Sequence, residues 1–175
     1  MEKERCYVDY YNSPIGEICL GSDGEYLVGL WLEGDKYYCE GFSDVVENSS
    51  LRIFQDTEKW LDIYFSGEIP NFIPKLKQIG SEFRMEVWEI LKNIPYGKTI
   101  TYGKIAKEIA TRHGIKRISA QAVGGAVGHN SISIIVPCHR VVGVNKELTG
   151  YAAGLDIKKY LLHLEGIDIS EYKSC

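Results

Sequence analysis

The apolar residues of this chain change their period once, and that change divides the fold into two dissimilar parts. Up to residue 32 apolar and polar residues alternate around turn formers: Tyr7-Val8-Asp9-Tyr10-Tyr11, Asn12-Ser13-Pro14-Ile15-Gly16, Glu17-Ile18-Cys19-Leu20, Asp23-Gly24 and Leu27-Val28-Gly29-Leu30-Trp31-Leu32. Alternation puts every second side chain on one face of a strand, so a hairpin or small meander is expected here. From residue 51 the spacing turns helical: Leu51, Phe54, Glu58, Leu61 and Phe65 make a stripe, widened by Trp60 and Tyr64, that Gly67 stops. Residues 66–80 hold two Pro and two Gly without a period. The boundary between a domain of residues 1–79 and one of residues 80–175 is expected there.

The second part reads as helices. Ser81 can cap one whose Phe83, Val87, Leu91 and Ile94 share a face, ending at Pro95-Tyr96-Gly97. Thr101 can cap the next, with Tyr102, Ile105, Ala106 and Ile109 on one side, and a third opens at Ser119, carries Ala122, Val123, Ala126 and Val127, and ends near His129. These last two, separated by an eight-residue loop, read either as a helix-turn-helix with a long turn or as a packed helical hairpin without a ligand. The adjacent Gly124 and Gly125 each cost about 1 kcal/mol relative to Ala inside a helix, so a strand or a nucleic-acid backbone is expected to approach them closely.

Charge divides the chain at the same place. Residues 1–79 hold 7 basic and 15 acidic side chains, and residues 80–175 hold 13 and 9. Lys98, Lys104, Lys107, Arg112, Lys116 and Arg117 fall in one window opposed only by Glu108, which is either a solvated surface or a site for a polyanion. With 45% hydrophobic and 25% charged residues the composition excludes a disordered or collagen-like chain. No apolar run reaches the roughly 18 residues of a membrane span, and the start MEKERCYVDYY lacks the apolar core of a signal peptide, so a cytoplasmic protein is expected. Its five Cys are then read as reduced thiols, with Cys6, Cys19 and Cys39 structural.

Residues 131–144, SISIIVPCHRVVGV, are the stretch that can carry chemistry. Pro137 cannot donate to a sheet ladder, so a strand should end there and present Cys138 at its tip. A thiol becomes nucleophilic as the thiolate, and His139 and Arg140 are both placed to favour that form. Successive side chains on an extended strand point apart, so contact between Cys138 and His139 needs a turn or a bridging water. The bland alternative is a buried, inert Cys. Near the C-terminus Asp156 can cap a helix in which Tyr160, Leu161 and Leu164 face inward. Glu165 in its last turn opposes the helix dipole and calls for a partner; it either orients His139 or is a surface carboxylate.

Pro137-Cys138-His139-Arg140-Val141, with Asn130 eight residues before the Cys, Gly150-Tyr151 after it and Leu161-Leu162-x-x-Glu165-Gly166 behind, resembles the O6-alkylguanine-DNA alkyltransferase family. So do Phe83…Val87-Trp88…Leu91…Ile94-Pro95-Tyr96-Gly97…Thr101-Tyr102 and Ala122-Val123-Gly124. The likeness is strong over residues 80–167 and loose over 7–75. It implies an α/β N-terminal domain, a small antiparallel sheet plus helix, followed by a mainly helical domain with a helix-turn-helix and a short active-site strand. It further implies transfer of an alkyl group from damaged guanine in double-stranded DNA to Cys138, once per molecule. His139 would be a water-bridged base, Glu165 its orienter and Asn130 the residue fixing the turn before the active strand. Tyr102 would assist departure of the guanine. Tyr151, Val141, Ala152 and Pro137 would line the base pocket, and Gln121, Arg117, Lys104, Lys116, Ala122 and Gly125 would meet DNA. Gln121 stands where the family carries an intercalating arginine, which leaves base extrusion to Gln121 or Arg117, and the zinc site of some relatives is unmatched. No cofactor, metal, membrane or obligate protein partner is expected, and the protein is expected to be a monomer.

Overall fold

The computed structural model describes residues 4–174, which fall into two compact units: one runs to Ile79 and includes Ser131–Ser133, the other holds Gly80–Asn130 and the chain from Ile134.

In the first unit the alternating segment forms β1 (Arg5–Ser13), β2 (Gly16–Ser22) and β3 (Leu27–Leu32), joined as an antiparallel meander. The sequence reading did not include β4 (Asp44–Glu47), which runs parallel to β1 and makes the sheet mixed, in the order β3-β2-β1-β4. Its four residues DVVE are too short and too exposed to show a period. Strand β3 is buried along its whole length and carries a second ladder, with Leu30 donating to the Ser131 carbonyl at 2.8 Å and accepting from the Ser133 N–H at 3.2 Å. Helix α1 (Arg52–Phe65) turns Ile53, Phe54, Thr57, Trp60, Leu61 and Tyr64 inward and ends where Gly67 takes φ 87°.

Trp31 shows why β2 and β3 need glycine. Gly21 and Gly29 stand opposite each other in the ladder, and the Trp31 indole lies across both. A Cβ added at Gly29 would sit 2.1 Å from the ring and one at Gly21 2.5 Å from it, far inside contact distance.

The second unit is built from α2 (Glu82–Lys92), α3 (Tyr102–Arg112), α4 (Ala120–Gly128) and α5 (Leu155–Leu164). Ser81, Thr101 and Ser119 cap the first three, each hydroxyl accepting an N–H of the first turn, which satisfies a donor that the helix itself leaves open. The fully buried Trp88 ties α2 to α4 by donating its Nε1–H to the Ala126 carbonyl at 2.8 Å. Two short parallel ladders complete the unit: β5 (Ile100–Thr101) pairs with β6 (Val141–Val142), and β7 (Glu147–Leu148) with β8 (Lys173–Ser174).

Four local expectations are corrected. Residues 113–119 connect α3 to α4, one residue fewer than expected. The run before Pro137 is no strand: the chain turns at Ile134, whose φ of 70° is strained for a β-branched residue, so the apolar run records complete burial instead of a sheet. Gly154 (φ 99°), and not Asp156, is the N-cap of α5, and Asp156 lies in the first turn. Tyr160 is exposed; the inward face of α5 is Lys158, Leu161 and Leu162.

Gly29→Ala is expected to destabilise the fold by about 1–3 kcal/mol, the usual cost of overpacking a core, because the Trp31 ring would have to leave the place it fills over Gly29 and Gly21. Urea denaturation followed by tryptophan fluorescence measures it; an unchanged midpoint would mean that the ring moves freely.

Candidate active site

Cys138 is 6% exposed, and the chain around it is a compound turn. Pro137 has φ −83° and ψ 67°, the geometry of an inverse γ-turn, and Cys138 N–H donates to the Val136 carbonyl across it at 2.8 Å. Residues Cys138–Arg140 then form one 3₁₀ turn that runs directly into β6. The expected placement of Cys138 at a strand tip is therefore replaced by a turn, in which successive side chains need not diverge. The buried Asn130 donates its Nδ2–H to the same Val136 carbonyl at 2.8 Å, so one side chain holds the carbonyl on which the turn closes.

Behind the turn lies a buried charge cluster. Glu165, the C-cap of α5, accepts from His139 Nε2 at 2.7 Å, from Arg140 Nε and Nη2 at 2.8 and 2.9 Å, and from the Gly97 N–H at 3.1 Å. Arg140 also donates through Nη1 to the Ile94 carbonyl at 2.7 Å and lies over the Tyr96 ring. The partner that a carboxylate at a helix C-terminus calls for is thus Arg140 together with His139, and the Arg140 guanidinium is committed to Glu165 instead of to the Cys138 thiol. Burial alone would raise the Glu165 pKa, but the hydrogen bonds and charges of His139 and Arg140 prevail and hold it at about 2. His139 is wholly buried, and burial outweighs the pull of Glu165, so its pKa is lowered. A neutral His139 that donates Nε2–H to Glu165 carries its basic lone pair on Nδ1.

On the other side Tyr102, the first residue of α3, donates its hydroxyl to the Thr149 carbonyl at 3.0 Å. Burial lifts its pKa, the Thr149 bond works against that, and the negative charge that Cys138 can carry adds to the rise. Lys158, fully buried, was missed by the sequence reading. It donates to the carbonyls of Val141, Thr149 and Gly150 at 2.6, 3.1 and 3.3 Å and lies over the Tyr102 ring. Burial brings its pKa down to about 8, while the Cys138 charge acts to raise it. A signal was present: Lys158, Leu161, Leu162 and Glu165 recur at the spacing of one helix face, and a face that mixes two Leu with two charges implies buried ionic partners.

The remaining pocket candidates gather at the same turn. Pro137 and Val141 are buried, Tyr151 and Ala152 half-buried, and the Val141 carbonyl is held by Lys158. The candidates for DNA contact lie apart from them, on the α3–α4 pair, where Lys104, Lys116, Arg117, Gln121, Ala122 and Gly125 are all exposed. Arg112 is engaged by Glu108 and Glu86 and does not share their freedom. Apart from its own helix, nothing among the described residues comes within 4 Å of a Cβ built on Gly125, and one on Gly124 would make only ordinary contact with Tyr102, so no described strand approaches either.

The charge cluster predicts how stability depends on pH. The lowered pKa of His139 means that below about pH 6.5 the unfolded chain takes a proton which the folded one resists, and Glu165 acts in the same direction as pH falls from 4.5 toward 2. The stability that these two groups contribute should thus be complete above about pH 6.5 and fall with acid through both windows. Glu165→Gln should cost about 3–5 kcal/mol at neutral pH by leaving Arg140 buried without its counter-charge, and should flatten the lower window. Urea titrations at several pH values read both effects; a variant as stable as the parent at pH 7 would remove the cluster from the account of the fold.

Comparison with known proteins gives one answer along nearly the whole chain. Residues 82–167 match the family described as 6-O-methylguanine DNA methyltransferase, DNA binding domain, and residues 6–76 match its ribonuclease-like domain. A methylated-DNA–protein-cysteine methyltransferase of Methanosarcina acetivorans is 46% identical over 160 residues, 91% of this chain and 98% of that protein. One from Haemophilus influenzae is 39% identical, covering 92% and 87%. The structure is similar to that of Mycobacterium tuberculosis OGT in complex with DNA, with a TM-score of 0.78 and 37% identity over 91% of this chain and 92% of that one. It is also similar to an O6-methylguanine-DNA methyltransferase from Pyrococcus kodakaraensis, with a TM-score of 0.56 and 27% identity over 93% and 99%. With both of its units matched and relatives aligned over nearly their full length, the chain belongs to the 6-O-methylguanine DNA methyltransferase family.

Proposed function

We propose that this protein repairs O6-alkylguanine in double-stranded DNA by taking the alkyl group irreversibly onto Cys138, one group per molecule. The observation that carries the reading is the Glu165–His139 contact of 2.7 Å directly behind the turn that presents Cys138. His139, kept neutral and oriented by Glu165, receives the Cys138 proton through a bridging water. The thiolate attacks the alkyl carbon; the S–C bond forms as the C–O6 bond breaks, and the electron pair leaves on guanine. Tyr102, which its raised pKa keeps protonated at neutral pH, supplies the proton that makes guanine a tolerable leaving group. Because the product is a thioether, nothing regenerates the thiol. Pro137, Val141, Tyr151 and Ala152 line the space for the base, and the reaction needs no cofactor.

A cysteine that is only 6% exposed does not meet a base stacked in a duplex, so the nucleotide has to be extruded toward it. The α3–α4 pair is read as the helix-turn-helix that does this, with Lys104, Lys116 and Arg117 on phosphates and the Ala122–Gly125 face of α4 against the minor groove. The open space over Gly125 supports that assignment: a glycine that nothing in its own chain crowds is accounted for when a nucleic-acid backbone is what comes close. The division of labour follows the domains expected at residues 1–79 and 80–175, with the chemistry in the second. We read the protein as a cytoplasmic monomer with no obligate protein partner; among the described residues no helix is long and apolar enough to cross a membrane.

Intact-protein mass after exposure to an O6-methylguanine duplex should rise by one methyl group, on Cys138, and stop there. Cys138→Ala should bind the duplex and transfer nothing. Repeated turnover, or methyl on another Cys, would rule the mechanism out.

Extrusion generates a separate test at Gln121, exposed in the first turn of α4. An amide can occupy part of the gap left by a flipped base but lacks the reach and charge of a guanidinium. Gln121→Ala should slow repair of duplex DNA at least tenfold while leaving reaction with free O6-benzylguanine within about twofold, a difference of roughly 1 kcal/mol in the barrier. Gln121→Arg should match or exceed the parent on duplex. Equal losses on both substrates would assign Gln121 to the pocket or the fold.

A further inference from the structure

The alkyl-transfer chemistry uses one of the protein's cysteines. Three others lie in the first unit around Trp31: Cys6, Cys19 and the side chain of Cys39 belong to one apolar cluster with Val8, Val28 and Phe42. Their geometry separates them. Cys19 faces Tyr10 in the β1–β2 ladder, four positions along β1 from Cys6, or about 13 Å at the rise of a strand. That exceeds the roughly 7 Å between Cα atoms that a disulfide can span. Cys39, by contrast, comes from the turn-rich segment between β3 and β4 to pack against this cluster, its thiol close to that of Cys19. The Tyr38 hydroxyl also donates to Cys19 Sγ at 3.4 Å.

We propose that Cys19 and Cys39 form a second reactive site, a dithiol that a hydroperoxide oxidises to an intramolecular disulfide. Cys39 is the attacking thiol. It is half-buried, and so within reach of a small oxidant, whereas Cys6 and Cys19 are buried. The neighbouring Cys19, opposed by burial and assisted by Tyr38, lowers the Cys39 pKa, while burial drives Cys6 up to about 12. A thiol more acidic than its partner is the asymmetry that such a pair needs.

The steps balance. The Cys39 thiolate attacks one peroxide oxygen, the O–O bond breaks, and the leaving hydroxide takes a proton to become water, so that Cys39 becomes a sulfenic acid. Cys19 then attacks the Cys39 sulfur; the S–S bond forms, the S–OH bond breaks, and the hydroxide leaves as water with the proton from Cys19. Overall two thiols are oxidised and one peroxide is reduced to two waters.

Closing the sulfurs to bonding distance requires movement, and the structure allows it on the Cys39 side. Cys39 is held at φ 52°, a strained conformation for a residue with a side chain. A cavity of about 290 Å³ lined by Tyr10, Cys19, Trp31, Asp35 and Tyr38 lies on the Cys19 side, which leaves room for side chains there to adjust. Trp31 and Asp35, which line it, carry a buried Nε1 and Oδ2 without a hydrogen-bond partner among the described residues, which suits entry of a small polar molecule such as a peroxide.

The test uses the full reduced chain and hydrogen peroxide at a few equivalents. Thiol titration should fall from five groups to three, the intact mass should drop by two hydrogens, and a peptide map under non-reducing conditions should join Cys19 to Cys39. Cys19→Ser should stop at a sulfenic acid on Cys39 that dimedone traps, and Cys39→Ser should give neither the disulfide nor the trapped sulfenic acid. A disulfide through Cys6, Cys138 or a second chain, or oxidation of Cys138 with Cys19 and Cys39 still free, would overturn the proposal. The wild-type peptide map decides this whether or not the variants fold.

Discussion

A single carboxylate organises the second unit. Glu165 is buried, ionised, and placed at the end of a helix whose dipole opposes it. An isolated charge in that position would be untenable, so its four hydrogen bonds set the arrangement of the chain around it. They come from His139 and Arg140 in the Cys138 turn and from Gly97 in the turn after α2, two points far apart in sequence. The electrostatic requirement of one buried group therefore holds the nucleophile's turn against both α5 and the α2–β5 connection. Using Arg140 to neutralise the carboxylate also leaves His139 free to remain a neutral base instead of becoming the counter-ion.

The turn that carries Cys138 depends on a second, smaller constraint. Pro137 has no N–H to give a ladder, so the chain reverses there through a γ-turn. The Val136 carbonyl closing that turn takes a second donor from Asn130, and the carbonyls that follow it, at Val141, Thr149 and Gly150, are gathered by the Lys158 ammonium. Two polar side chains thereby replace the sheet hydrogen bonds that a strand would have supplied. This is how a segment as apolar as SISIIVPCHRVV remains buried with only one 3₁₀ turn and a two-residue strand as regular structure.

Much of the scaffold was legible because its signals are local. Alternation found the β1–β3 meander, and Ser81, Thr101 and Ser119 marked three helix starts through hydroxyls that bond within their own first turn. Strand β4 was invisible since its pairing is with β1, some forty residues away, and its own side chains are mostly exposed. The buried run before Pro137 was read as a strand because β-branched residues fill a buried turn as readily as a sheet, and periodicity does not separate the two. At the site, Cys138, His139 and Glu165 were recognisable from type and order. Lys158 was passed over although its spacing with Leu161, Leu162 and Glu165 put a charge on an apolar face.

The sequence by itself determined the two-part architecture, three of the helix caps, the family and the candidate nucleophile, because each rests on residue type and short-range spacing. Tertiary structure alone decided which groups neutralise which. Arg140 could have faced Cys138 or Glu165, Lys158 could have been solvated, and Cys39 could have been remote from Cys19. Those choices turn on desolvation and on hydrogen-bond geometry between segments distant in sequence, and only the folded arrangement brings such segments within the few ångströms over which these forces act.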